Sequence, residues 1–444
     1  MYTTSMNYPD NFMETLVSLA KRRGFVFPSA EIYGGLAAVW DYGPLGALMK
    51  QNLRREWMKR FVEQRNDIVP IEASILTNRQ VLIASGHEKG FSDPLAECTI
   101  CHERFRTDHE IPKAKDHEHK LTEAKQFNLM FKSFAGPVEN EGNLVYLRPE
   151  TAQGMFVNFK LIADAMRLRP PFGIAQIGKN FRNEITTGNF IFRLRELEIA
   201  ELEFFVAPAD AEKQNIAWVE AWKQFYVDCG LDDDRLRVRE LSEKDRAHYA
   251  ASNTDFEYEF PFGWGEIGGV ANRTDYDLKN HIEHSGKDLS WFDEETKERI
   301  VPYVIEPTLG MDRLLMALLV HGLHISDGTD GREVGEAVLK LNPKIAPVTA
   351  AVFPLVKKEG LPQIAQDIVT SLRQANIGYV QYDESGSIGR RYRRQDEIGT
   401  PWCITVDFDS QTEKTVTLRH RDTLQQERVA IADLASRLQA ELSK

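Results

Sequence analysis

Residues 181–205 gather side chains suited to an elongated, charged ligand. Phe181-Arg182-Asn183-Glu184 leads into a short loop, followed by Arg193-Leu194-Arg195-Glu196-Leu197-Glu198-Ile199-Ala200-Glu201. In extended chain, side chains two apart share a face. If both arms are strands, Arg182 aligns with Glu184, and Arg193 aligns with Leu197 and Glu201 at intervals of roughly 13 Å. Cation, apolar surface and carboxylate in that order suit a ligand with phosphates, an aromatic base and an amine. Read alone, the stretch is more simply an exposed hairpin of alternating charge.

Two other segments carry chemistry. Glu306-Pro307-Thr308-Leu309-Gly310-Met311-Asp312-Arg313 runs into the apolar stretch 314–320, and reads as a strand, a turn and a helix. Free N–H groups at a helix start attract anions, and Arg313 adds a fixed positive charge; in isolation, a solvated arginine at a helix start is the simpler reading. Arg390-Arg391-Tyr392-Arg393-Arg394 is a basic patch in a chain of net charge −12. That sum argues against coating nucleic acid through bulk charge, yet a local patch can hold phosphates whatever the total.

Positioning these groups takes several elements. The 444 residues, 42% of them hydrophobic, suffice for two or three domains of a soluble globular protein. No apolar run is long enough to span a bilayer, and residues 1–24 lack the pattern of a signal peptide. Cys98, Cys101, Cys229 and Cys403 are too few and scattered for a disulfide framework. A cytoplasmic location without membrane contact is the expectation.

Leu45, Leu48, Met49, Leu53, Trp57 and Phe61 recur at helical spacing after Tyr42-Gly43-Pro44. The other face of that helix carries Lys50, Arg54, Arg55, Lys59 and Arg60; it suits the core or a dimer interface. Polar residues from about 97 to 141 predict an insertion. Strand-like runs at 144–148, 173–177, 198–206 and 301–306, without regular βα alternation, predict an α+β domain on a mostly antiparallel sheet. Pro343 and Pro347 mark a boundary, giving domains of residues 1–345 and 346–444. Strands at 350–355, 377–382, 403–408 and 416–419 and helices at 361–375 and around Leu434 predict a small α/β domain in the second.

Together, Gly43-Pro44-Leu45-Gly46, residues 181–201 and Gly310-Met311-Asp312-Arg313 resemble motifs one, two and three of the class II aminoacyl-tRNA synthetases. Leu147-Arg148-Pro149-Glu150-Thr151-Ala152-Gln153-Gly154, Phe127-Asn128-Leu129-Met130-Phe131 and Ala84-Ser85-Gly86-His87 resemble, within that class, the homodimeric glycyl-tRNA synthetases. So do Ala271-Asn272-Arg273-Thr274-Asp275-Tyr276-Asp277-Leu278 and Tyr392-Arg393-Arg394-Gln395-Asp396-Glu397-Ile398-Gly399, so that the resemblance covers nearly the whole chain.

The resemblance implies a class II catalytic domain followed by an anticodon-binding domain, a homodimer, and ATP, magnesium, glycine and its tRNA as ligands. The implied reaction joins glycine and ATP as glycyl-adenylate, then passes the glycyl group to the tRNA. In it, Arg182 bridges the α-phosphate and the glycine carboxylate, while Arg193 and Arg313 hold the outer phosphates. Glu184 accepts from the adenine amino group, Glu266 lies by the phosphates and magnesium, and Asn183, Phe192, Leu197, Ile267 and Gly310 complete the ATP site. Glu150, Glu201 and Glu306 surround the glycine ammonium, Thr308 adds a hydroxyl, and Arg106 is a candidate for the glycine carboxylate. Arg390, Arg391, Arg393 and Arg394, with Arg419-His420-Arg421-Asp422, supply cations at loop positions for tRNA. The alternative is a non-catalytic, synthetase-like nucleic-acid-binding accessory protein; Arg182, Glu184, Arg193 and Arg313 argue against it.

Two details stand apart from the family pattern. Leu197 occupies a place where the family usually stacks Phe on adenine, and Ile199-Ala200 replaces a usual Gln–Met pair; an aliphatic side chain forgoes part of the roughly 1–3 kcal/mol of an aromatic stack. Cys98-Thr99-Ile100-Cys101, with His102 and His109, invites a zinc reading. A structural zinc needs four ligands, usually as two paired knuckles. One CxxC and histidines without the usual spacing predict a remnant knuckle or plain loop rather than zinc.

Overall fold

The computed structural model describes residues 8–443 except 109–110, 112, 115, 186–187, 244–245, 247–249 and 295. A seven-stranded sheet organises the larger part of the chain. Its strands are β1 (Ile68–Pro70), β2 (Phe172–Phe181), β3 (Glu196–Val206), β4 (Leu236–Glu240), β5 (Ser252–Phe260), β6 (Gly263–Thr274) and β7 (Tyr303–Gly310). The spatial order is β4-β5-β6-β7-β3-β2-β1. All neighbours are antiparallel except β2 and β1. Antiparallel neighbours need no crossover helix, so these strands follow one another without βα alternation.

Alternation along β3 sorts its side chains. Ala200, Leu202, Phe204 and Val206 join a core with α1 (Pro44–Met58), α3 (Ala211–Asp228) and α4 (Met311–Gly322). On the opposite face, Phe205 packs with Phe156 and Phe159 of α2 (Ala152–Met166). Towards Leu197 and Ile199 that face opens into a cleft.

Pro44 starts α1 at a position where its missing N–H costs nothing, and Met49, Leu53 and Trp57 are fully buried along one stripe. Lys50, assigned by sequence to the polar face, is buried too. Short strands mark the start of the insertion: Arg104–Arg106, Ser92–Glu97 and Lys125–Asn128 form a small antiparallel sheet in that order.

Around the central motif the structure departs from two continuous strands. Pairing of β2 with β3 ends at Phe181 and Glu196, so Arg182, Glu184 and Arg193 lie in the connection rather than on the strands. Asn189 and Phe190 there adopt left-handed backbone conformations, which an extended strand cannot contain.

The C-terminal part has its own sheet, β9-β8-β10-β11-β12, made of β8 (Ala350–Pro354), β9 (Val380–Tyr382), β10 (Trp402–Val406), β11 (Thr415–His420) and β12 (Gln426–Ala430). The pairs of β8 are parallel and the others antiparallel. Its longer helices are α5 (Leu361–Gln374), α6 (Ile388–Ile398) and α7 (Leu434–Leu442). Leu361, Ile368, Ile404, Val416 and Leu438 share a core there. Arg390 to Arg394, expected at loop positions, sit on α6, because Ser387 and Gly399 bound a helix across the whole basic run.

Candidate active site

Beneath the sheet, one buried charge cluster ties together three segments distant in sequence. Asp312, in the first turn of α4, accepts from Lys50 Nζ (2.6 Å), the Tyr42 hydroxyl and the Glu198 N–H (2.7 Å). Lys50 also pairs with Glu198 (3.0 Å), which Arg54 reaches from the partly exposed side. Burial pushes the Asp312 carboxyl upward, but the adjoining Lys50 charge outweighs it and holds the group below the usual range. Two carboxylates thus meet two cations. Sequence reasoning assigned neither Lys50 nor Asp312 a role. A signal existed: Lys50 lies four residues after Gly46 and three before Leu53, on the buried stripe of α1.

Above the sheet, Arg182, Glu184, Phe192, Arg193, Leu197, Glu266, Ile267, Thr308, Gly310 and Arg313 line a single cleft. Close pairing of β6 with β7 there requires Gly268, since a Cβ at that position would lie 2.4 Å from the Thr308 carbonyl oxygen. Arg313 donates to the Phe192 carbonyl (3.2 Å) and to Glu266 (3.0 Å to the carboxylate), with its guanidinium 4.5 Å from the Phe192 ring centroid. Arg182 donates to the Pro149 carbonyl (3.0 Å) and stands 5.5 Å from the Phe91 ring centroid. Arg193 is half-buried and has no ion pair among the described residues. Asn183 is not on the cleft wall; its N–H is held by the Leu129 carbonyl (2.7 Å).

Carboxylates crowd the neighbouring part of the same face. Glu201 on β3 lies in register with Gln176 of β2 and Thr308 of β7, and accepts from the Thr151 N–H (2.8 Å) and hydroxyl. Glu306, across from Ala271, pairs with Arg273 (2.8 Å), which also pairs with Asp277 (2.8 Å). Glu150 accepts from Gln153 (3.0 Å) and faces His87 (3.3 Å). Glu203, unmentioned by the sequence reading, is fully buried, and neither carboxylate oxygen has a hydrogen-bond partner among the described residues.

Five carboxylates therefore outnumber the arginines that act on them, Arg273 among them and Arg148 and Arg182 beside Glu201, and their electrostatics show the imbalance. Burial and the Glu150 charge push Glu201 up, while burial, against the pull of Arg273, takes Glu306 to about 8. Glu203 rises well above the carboxylate range through burial and the Glu306 charge. Glu150 alone goes down, because His87 and Arg273 outweigh its burial. Such a cluster favours a bound cation.

The remaining candidate residues lie elsewhere. Arg106 is paired with Asp93 (2.9 Å) and Asp108 (2.7 Å) in the small sheet of the insertion, close enough for the Glu184 charge to act on it. On α6, Arg391 is buried and donates to the Pro354, Glu384 and Gly386 carbonyls, which leaves it unable to meet a phosphate. Arg393 pairs with Glu333 (2.8 Å) and Glu336, and Arg394 with Asp383 (2.5 Å). Arg390 is exposed and has no ion pair among the described residues. Arg419 and Arg421 are buried, on Asp396 and on the Gly399 and Leu341 carbonyls respectively.

The zinc expectation is corrected in its premise. His102 turns to Glu97 (3.1 Å) and His109 lies outside the described residues, but a second ligand pair exists. His117 and His119 stand beside Cys98 and Cys101. Strand pairing, which sequence spacing does not display, brings them there.

Comparison with known proteins agrees with this architecture. Residues 134–321 match the family model for the tRNA synthetase class II core domain (G, H, P, S and T), and residues 349–441 match that for the anticodon binding domain. The glycine–tRNA ligase of Bifidobacterium longum (strain NCC 2705) is 49% identical, over 97% of this chain and 93% of that protein. That of Caldanaerobacter subterraneus subsp. tengcongensis is 49% identical over 97% of this chain and 98% of its own. For Thermobifida fusca (strain YX) the identity is 46%, over 94% and 96%. The cleft and sheet are thus those of a class II synthetase core. The chain belongs to the glycine–tRNA ligase family.

Proposed function

We propose that this chain activates glycine with ATP, forming glycyl-adenylate and pyrophosphate, and transfers the glycyl group to its tRNA. What carries this reading is the juxtaposition on one sheet face of three arginines and an excess of buried carboxylates. The first group suits triphosphate and the second suits the substrate ammonium.

In the first step a glycine carboxylate oxygen attacks the α-phosphorus, and the bond from that phosphorus to the bridging oxygen of the pyrophosphate breaks. Two anions must meet, so positioning and charge neutralisation dominate and no side chain need act as base. Arg182 bridges the carboxylate and the α-phosphate, while Arg193 and Arg313 take the outer phosphates. Glu184 receives the adenine amino group, and Leu197 and Ile267 cover the base. Glu266 is half exposed at the cleft and paired with Arg313, a carboxylate placed to share a hard cation with phosphates. Magnesium held there would neutralise charge on the departing pyrophosphate, and Arg313 would exchange Glu266 for phosphate. Glu150, Glu201 and Glu306, with Thr308, hold the ammonium. In the second step a hydroxyl of the terminal ribose attacks the glycyl carbonyl and AMP leaves.

The same reading assigns residues 1–345 to catalysis, with the insertion at about 97–141, and residues 346–444 to the tRNA. Arg390 offers a cation directly; Arg393 and Arg394 would exchange their carboxylate partners for phosphates. A homodimer is favoured by the exposed Ile32, Tyr33 and Leu36 just ahead of α1, apolar surface that a second copy would cover. Among the described residues no helix is long and apolar enough to cross a membrane, and we place the protein in the cytoplasm.

Glycine-dependent exchange of labelled pyrophosphate into ATP is the test. Exchange should appear with glycine and fall to background with alanine or serine. Its absence from protein whose cleft is intact would leave a non-catalytic binding protein, and equal exchange with alanine would refute the glycine assignment.

A further inference from the structure

The insertion contains a cluster that the synthetase reaction does not use. One donor atom from each of Cys98, Cys101, His117 and His119 lies within 4.8 Å of all the others. Cys98 Sγ is 3.7 Å from His117 Nε2, and Cys101 Sγ is 3.7 Å from His119 Nδ1. Zinc binds sulfur at about 2.3 Å and imidazole nitrogen at about 2.0–2.1 Å in a tetrahedron, which separates S and N ligands by about 3.6 Å. We propose that Cys98, Cys101, His117 and His119 form a closed, structural zinc site.

Local structure explains how four ligands converge. The two cysteines occupy the turn between Ser92–Glu97 and Arg104–Arg106, closed by Cys98 N–H to the Glu103 carbonyl (2.8 Å) and His102 N–H to the Cys98 carbonyl (2.9 Å). The Ile100 N–H is directed at Cys98 Sγ (3.4 Å), an arrangement that supports a thiolate. The histidines arrive on the neighbouring segment, aligned by Thr99 N–H to the Lys120 carbonyl (2.8 Å) and Thr122 N–H to the Glu97 carbonyl (2.9 Å). A bend at Asp116 and His117 precedes this alignment, and His117 and His119 both turn to the cysteines. Asp116 holds His117 Nδ1 (2.8 Å), leaving Nε2 for the metal; a carboxylate behind a ligating histidine fixes its tautomer and orientation.

Packing supplies an independent argument. Among the described residues from 97 to 124, only Cys98 is buried. A segment that folds around no apolar core needs another staple. Two sulfur and two nitrogen donors gathered at one point suit zinc, and four protein ligands leave no open position for catalysis. Zinc displaces the thiol protons on binding. It would pin the hairpin whose second strand carries Arg106 and whose first strand follows Phe91, the ring beneath Arg182.

The test uses the full chain purified under reducing conditions, with metal counted by plasma emission and then replaced by cobalt. One zinc per chain is expected, and cobalt should give intense visible bands of tetrahedral coordination with thiolate charge transfer in the near ultraviolet. Cys101→Ser and His119→Ala, at the partly accessible side of the cluster, should each lose the stoichiometric metal. Wild-type chain that holds no zinc and gives no tetrahedral cobalt spectrum overturns the site, as does full zinc retention in both variants. If one variant fails to fold, the wild-type count and spectrum still decide.

Discussion

A single strand, β3, divides the charged chemistry of this molecule into two unlike regions. On its core face, Glu198 enters a cluster in which Lys50 and Arg54 meet Glu198 and Asp312, and the lysine and carboxylates are almost wholly buried. On its open face, Glu201 and Glu203 join Glu150, Glu306 and Asp277 around the buried Arg273, with Arg148 and Arg182 beside Glu201. Buried charge is tolerated where it is paired. The balanced cluster therefore reads as a fastening, holding α1, β3 and α4 in register under the cleft. The unbalanced one is poised for a ligand that supplies the missing positive charge. Compensation, more than residue type, separates the structural glutamate from those proposed to bind the ammonium.

The largest effect expected from this contrast is on stability. Lys50→Met leaves Asp312 buried without a cation and Glu198 with Arg54 alone, and breaking a buried pair from one side costs about 3–5 kcal/mol. Urea unfolding followed by the fluorescence of the buried tryptophans Trp57 and Trp222 should show a matching fall in midpoint. A loss below about 1 kcal/mol would place Lys50 among ordinary surface lysines and dissolve the distinction between the two faces.

Glu203→Gln should do the reverse. Burial and the Glu306 charge hold the Glu203 carboxyl well above its usual range, so the folded chain keeps a proton that the unfolded chain releases. Stability then falls as pH rises through the interval between the two pKa values. Glu306 acts in the same sense, from about 4.5 in the unfolded chain to about 8 in the fold. The amide removes the Glu203 contribution: Glu203→Gln should match the wild type in mildly acidic solution and gain on it as pH rises. Urea midpoints across that range measure the difference; a variant that loses stability at every pH would mean that Glu203 is a satisfied structural group.

How much of this was legible in sequence follows from the length scale of each feature. The apolar stripe of α1 and the alternation in β3 are local periodicities, and they foretold the helix, the strand and the antiparallel sheet. The cleft residues were legible through a family resemblance carried by several motifs. Three things depended on contacts between distant segments. Lys50 finds Asp312 262 residues away, so its place on a buried stripe looked like a polar face. Arg391 and Arg419 looked like a nucleic-acid surface until packing directed them to carbonyls and to Asp396. The second half of the metal cluster lay beyond the histidines nearest in sequence, on a segment that only the hairpin pairing brings alongside.

Leu197 gives the finest probe of the open face. It lies at the cleft end of β3, partly buried against the main core, at the place proposed for adenine. Leu197→Phe restores a ring there, and base–aromatic stacking is worth roughly 1–3 kcal/mol. Leucine already covers the base, so only part of that is available, and the KM for ATP in pyrophosphate exchange should fall by about three- to tenfold. The KM for glycine should stay constant, because Glu201 is four residues further along the same face and makes its contacts to Thr151. A fall in both constants would indicate that the ring reshapes the whole cleft. No change in either would move the base away from β3 and leave the open face to phosphate and amine alone, making the carboxylate excess, rather than the apolar wall, its defining feature.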